Sequence, residues 1–95
     1  MSLNPPAPTS TIVLSEQTRK TVRYRLLSFR CEKGVNYYVY IQFGQERITR
    51  LLPARGEENA RQLFRILVNG GVTPCTLDDI LEDWTYEIKT TSHRI

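Results

Sequence analysis

The sequence predicts an α+β domain: a three-stranded antiparallel meander, four-stranded if 85–91 joins it, with two helices on one face, in the order βββαα(β). Three observations carry this. Tyr37, Val39, Ile41 and Phe43 alternate with Asn36, Tyr38, Tyr40 and Gln42, the period-2 signature of a half-buried strand. Ala60, Leu63, Phe64, Leu67 and Val68 recur at helical spacing, and so do Leu77, Ile80, Leu81 and Trp84. Between these two stripes lie Asn69, Gly70, Gly71 and Pro74, which break a helix.

Taken in order, residues 1–15 read as a disordered lead, because Pro5, Pro6 and Pro8 come with little apolar material. A brief β segment at Thr11 to Leu14 is left open. Residues 16–91 form the single domain, and 92–95 a mobile tail. From Thr21 to Cys31, Val22, Tyr24 and Leu26 alternate with Arg23 and Arg25, and then Leu27 and Phe29 take the opposite parity. A bulge near Leu26 and Leu27 would return both sets to one face. The turn around Gly34 leads to the strand ending at Phe43, and Gly44 leads to a third strand over 47–52, stopped by Pro53. Glu57 and Glu58 suit the positive end of the first helix dipole, with Glu57 one turn from Arg61. Thr76 is expected to cap the second helix. Tyr86, Ile88 and Thr90 alternate with Glu87 and Lys89, which suits a final strand.

Ninety-five residues suffice for one domain with a modest core. Apolar content of 40% with 24% charged residues is ordinary for a globular chain, and its apolar runs are too short for a membrane span. No basic residue precedes Ile12, Val13 and Leu14, and that triplet is too short for a signal peptide, so a cytoplasmic location is expected. Cys31 and Cys75 should then be reduced thiols. The net charge is +3 but uneven: residues 1–55 carry nine Lys or Arg against three Glu, and 56–95 carry four against seven acids. A basic strand region thus faces an acidic helical one, which serves internal charge balance and also attracts anionic partners or a second copy.

The sequence contains Tyr38-Val39-Tyr40-Ile41, a helix running into Asn69-Gly70, and Leu77-Asp78-Asp79-Ile80-Leu81-Glu82-Asp83-Trp84. In these stretches, across about residues 21–84, it resembles a family of small uncharacterised cytoplasmic proteins of clostridia and related bacteria. The resemblance implies a bacterial cytoplasmic setting and no catalytic residues.

Catalytic chemistry finds little support. Cys75 precedes a helix N-terminus, where a thiolate is favoured, but the sole histidine, His93, lies in the tail. One His and two isolated Cys make no ligand set, so no metal or other cofactor is expected. Asp78, Asp79, Glu82 and Asp83 read first as a solvated helix face. Gly70 and Gly71 lack the lysine of a phosphate-binding loop. The protein is therefore expected not to be an enzyme. The sheet face carrying Arg23, Arg25, Tyr38, Tyr40 and Gln42 is the candidate partner-binding surface. A protein partner and a homodimer are expected there. The alternative is a nucleic-acid-binding protein stacking bases on Tyr38 and Tyr40, although neither the RNP1 pattern nor the βαββαβ order is present.

Overall fold

The structure, a computed structural model, describes residues 11–93, with side chains described through Thr85. Four strands precede two helices: β1 (Thr11–Arg19), β2 (Val22–Cys31), β3 (Gly34–Phe43), β4 (Glu46–Leu51), α1 (Glu57–Asn69) and α2 (Pro74–His93). The sheet order β1-β2-β3-β4 follows the chain, so every connection is a short hairpin and the sheet is an antiparallel meander. Both helices lie on the same face, α1 against β2 and β3 and α2 against β3 and β4. The expected α+β meander under two helices is therefore present.

Alternation along β2 is uninterrupted. Val22, Tyr24, Leu26 and Ser28 are buried, and the pairing with β3 runs without a break from Val22 opposite Phe43 to Cys31 opposite Gly34. The bulge expected near Leu26 and Leu27 is instead in β1, where Leu14 is the extra residue between Val13, opposite Leu27, and Ser15, opposite Leu26. Leu27 and Phe29 consequently stay on the face the helices leave open. A bulge frees backbone groups from the ladder. Here the Leu14 carbonyl accepts a 3.5 Å hydrogen bond from Arg61 Nη1 of α1.

Three further expectations are corrected. The lead ends earlier than residue 15, since β1 begins at Thr11; residues 1–10, like 94–95, lie outside the described residues. The fourth strand is thus N-terminal, and 85–91 is helix rather than strand, with α2 extending through His93 into the expected tail. No Gly or Pro stands between Trp84 and Ser92, so nothing stops a helix already nucleated by its packed first turns. The α2 cap also differs. Its first residue is Pro74, well suited to a first helical position, and Thr76 is the third, its Oγ1 accepting from the Thr73 N–H at 3.3 Å.

Val22, Tyr24, Leu26, Val39 and Ile41 meet Ala60, Phe64, Leu67, Val72, Leu77 and Leu81 in one buried cluster, with Tyr37, Ile80 and Trp84 partly buried against it. Phe43, expected in the core, is 43% exposed, because it ends β3 beside the Gly44 turn. Leu63 is half-buried. Glu57 pairs with Arg61 at 2.9 Å as expected. At the other end of α1, Gly71 takes the left-handed conformation (φ 65), its N–H donating to Val68 O and that of Val72 to Leu67 O. This paired cap closes the helix and turns Val72 inward. Tyr24 Oη then donates to the Val72 carbonyl at 2.9 Å, and Arg19 Nη1 to the Asn69 carbonyl at 2.9 Å, tying β1 and β2 to the end of α1. Burial raises the Tyr24 pKa above 10.0, and the nearby Arg19 charge partly opposes the rise.

Candidate functional site: the open sheet face

Paired residues of an antiparallel sheet point to the same side, so the register lists the uncovered face in cross-strand rows. At one end Thr11 lies opposite Phe29, and Phe29 opposite Asn36. The next row crosses all four strands as Val13, Leu27, Tyr38 and Leu51. The third is Glu16, Arg25, Tyr40 and Thr49, and the fourth Thr18, Arg23, Gln42 and Arg47. The face is thus divided along the strands, with an apolar end and a basic, hydrogen-bonding end.

All five sequence-predicted residues lie on this face, and four of them form a connected cluster. Arg23 is opposite Gln42 and Arg25 opposite Tyr40. The Arg25 guanidinium stands 5.5 Å above the Tyr40 ring, while its Nε donates to Glu16 Oε2 at 3.2 Å. Tyr40 Oη donates to Gln42 Oε1 at 2.9 Å. Arg25 is thereby held between a carboxylate and an aromatic face. Arg23 is exposed and makes no hydrogen bond or ion pair among the described residues. Tyr38 belongs to the apolar end, where it lines a shallow depression of about 270 Å³ with Thr11, Leu27, Phe29 and Thr49.

Sequence reasoning missed half of this surface. Val13 and Leu51, 52% and 53% exposed, complete the apolar row from the two edge strands, and Glu16 supplies the counter-charge to Arg25. Val13 lay in the stretch read as a lead. Leu27 and Phe29 were assigned to the core through a bulge in β2. The available signal was the regular spacing of Val22, Tyr24, Leu26 and Ser28, which needs no bulge.

Of the other candidates, Cys31 ends β2 on this same face, opposite Gly34 and next along from Phe29, while Cys75 and the acidic quartet belong to α2. Cys31 and Cys75 are both exposed, Cys75 Sγ lying 3.5 Å from Thr73 Oγ1. Asp78 pairs with Arg50 of β4 through two contacts, 2.8 and 3.3 Å, so one member of the acidic quartet already neutralises a strand arginine. Among the described residues, no group of three or more His, Cys, Asp or Glu side chains is placed to hold a metal ion. No described helix is long and apolar enough to cross a membrane. No family model, curated protein or solved structure matches the chain.

Proposed function

We propose that this protein is a non-catalytic interaction module, regulatory or accessory in role and acting in the cytoplasm, that binds protein through its open sheet face. The observation that carries the reading is the apolar row Val13, Leu27, Tyr38 and Leu51, which crosses the whole sheet on the side without helices. Contiguous exposed apolar surface beside ordered polar groups is the usual composition of a protein-binding patch. The arrangement of Arg25 also favours protein over nucleic acid. Base stacking uses open aromatic ring faces. Here the Arg25 guanidinium covers the Tyr40 ring and is itself paired with Glu16.

The test is capture of a protein partner from native lysate by the tagged chain, compared with its Tyr38→Ala variant. Tyr38 is half-buried and outside the core cluster, so the variant should fold and lose the partner. Labelled RNA and DNA titrated at two salt concentrations supply the counter-test. Saturable, salt-sensitive binding there would replace the protein-binding reading with the nucleic-acid one.

A further inference from the structure

The geometry points to a second copy of this chain as the occupant of the open face, stacked sheet to sheet about a two-fold axis parallel to the strands and between β2 and β3. The inference rests on the open face being a protein-binding surface, as proposed above. Such an axis lays β1 over the partner's β4 and β2 over the partner's β3. Each cross-strand row then meets itself in reverse.

The consequences follow from the register. In the apolar row, Val13 faces the partner's Leu51 and Leu27 faces the partner's Tyr38, so apolar groups cover apolar groups across the full width. In the next row Arg25 faces the partner's Tyr40, repeating between copies the cation–ring contact already made within one. In the last row Arg23 faces the partner's Gln42, and Arg47 the partner's Thr18. No arginine is set against an arginine, although the face carries three. Glu16 lies one row from the partner's Arg47, within reach of a diagonal ion pair.

A two-fold axis across the strands does not set Arg25 against the partner's Tyr40. An axis across the strands lays each strand on its own copy, which centres Arg25 on the partner's Arg23 or Leu27 on the partner's Arg25. Centred on the apolar row instead, it sets Arg25 on the partner's Phe29 and Arg23 on the partner's Cys31, so the cation–ring match is lost. Strand-parallel stacking covers the whole face, about 20 by 25 Å from the usual strand and residue spacings, or roughly 1,000 Å² in total for two copies. That is below the standard size of a stable specific interface, so the dimer should be weak and reversible.

Sedimentation over a concentration series tests the association. The expected result is a rise from the 11.0 kDa monomer mass towards twice that value at high micromolar concentration. Leu27→Asp should abolish the rise, while Ile66→Asp, placed at the exposed apolar residue of α1, should leave it intact; circular dichroism verifies that both variants fold. Cross-linking tests the axis. In a Cys31→Ser, Cys75→Ser background, a short bismaleimide should join Val13→Cys chains to Leu51→Cys chains when the two are mixed. Neither variant alone should cross-link. A wild type that stays monomeric overturns the inference, as does Ile66→Asp dissociating the dimer, or Val13→Cys chains cross-linking to one another as well as the mixture does. A monomer would still leave the interaction-module reading standing, and that reading falls separately if Tyr38→Ala captures its partner undiminished.

Discussion

The two faces of this sheet are made from alternate residues of the same strands, yet they do different work. On the covered face, Tyr24, Leu26, Val39 and Ile41 are fully buried under α1 and α2. On the open face the neighbours of those same residues are Arg23, Arg25, Leu27, Tyr38, Tyr40 and Gln42, none of them buried. Arginine at alternate positions of β2 keeps a helix off one side, because covering Arg23 and Arg25 with apolar residues would desolvate two charges. Aliphatic residues at the intervening positions call for cover on the other. Stability is therefore concentrated on one face, and its reverse is left open for the recognition proposed above.

That division makes a large, one-sided prediction. Leu67 is fully buried between α1 and the sheet, so Leu67→Ala should cost about 2 to 5 kcal/mol through lost transfer energy and the cavity left behind. Chemical denaturation midpoints measure it. A shift near zero would mean that the inner stripe of α1 is not the lid of the core.

A smaller effect is expected where a polar group crosses into the covered face. Tyr24 is buried with its hydroxyl on the Val72 carbonyl, so Tyr24→Phe should cost about 1 to 2 kcal/mol by stranding that acceptor. The same residue gives the protein a pH dependence. Its folded-state pKa is raised above 10.0, so the stability it supplies is fully present below that pH and is lost as pH rises through the higher folded value. The phenol absorbance band and the denaturation midpoint, followed together through the alkaline range, should change together in the wild type. If Tyr24→Phe shows the same alkaline loss, the coupling lies elsewhere.

The elements that could be read from the sequence are those whose side-chain period is undisturbed. β3 alternates without a break over Tyr37, Val39 and Ile41, and α1 carries a full apolar stripe closed by Gly70 and Gly71. β1 was hidden by its own bulge. Leu14 shifts the parity partway along a nine-residue strand that lies mostly outside the helices' cover, so neither period 2 nor a buried face shows in its residues. The last turns of α2 were obscured for the opposite reason: Tyr86, Ile88 and Thr90 favour strand individually, but the helix started by Leu77, Ile80 and Leu81 continues past its packed portion. The candidate face was legible through Tyr38, Tyr40 and the β2 arginines. Its apolar half was not, because completing that row needs residues from both edge strands, and only the register brings Val13 and Leu51 into line.

The smallest expected effect is the sharpest test of the separation between the faces. Arg23 is exposed on the open face and is unpaired among the described residues, so Arg23→Ala should alter stability by less than about 0.5 kcal/mol. In a dimer, however, stability contains a mass-action contribution that grows with protein concentration. In the proposed dimer, Arg23→Ala removes a side chain set opposite the partner's Gln42 and leaves each copy's core intact. Its melting temperature should therefore match the wild type when dilute and fall below it only as concentration rises. Equal deficits at every concentration would place Arg23 among the groups that hold a single copy together, and the open face could no longer be treated as free of the fold.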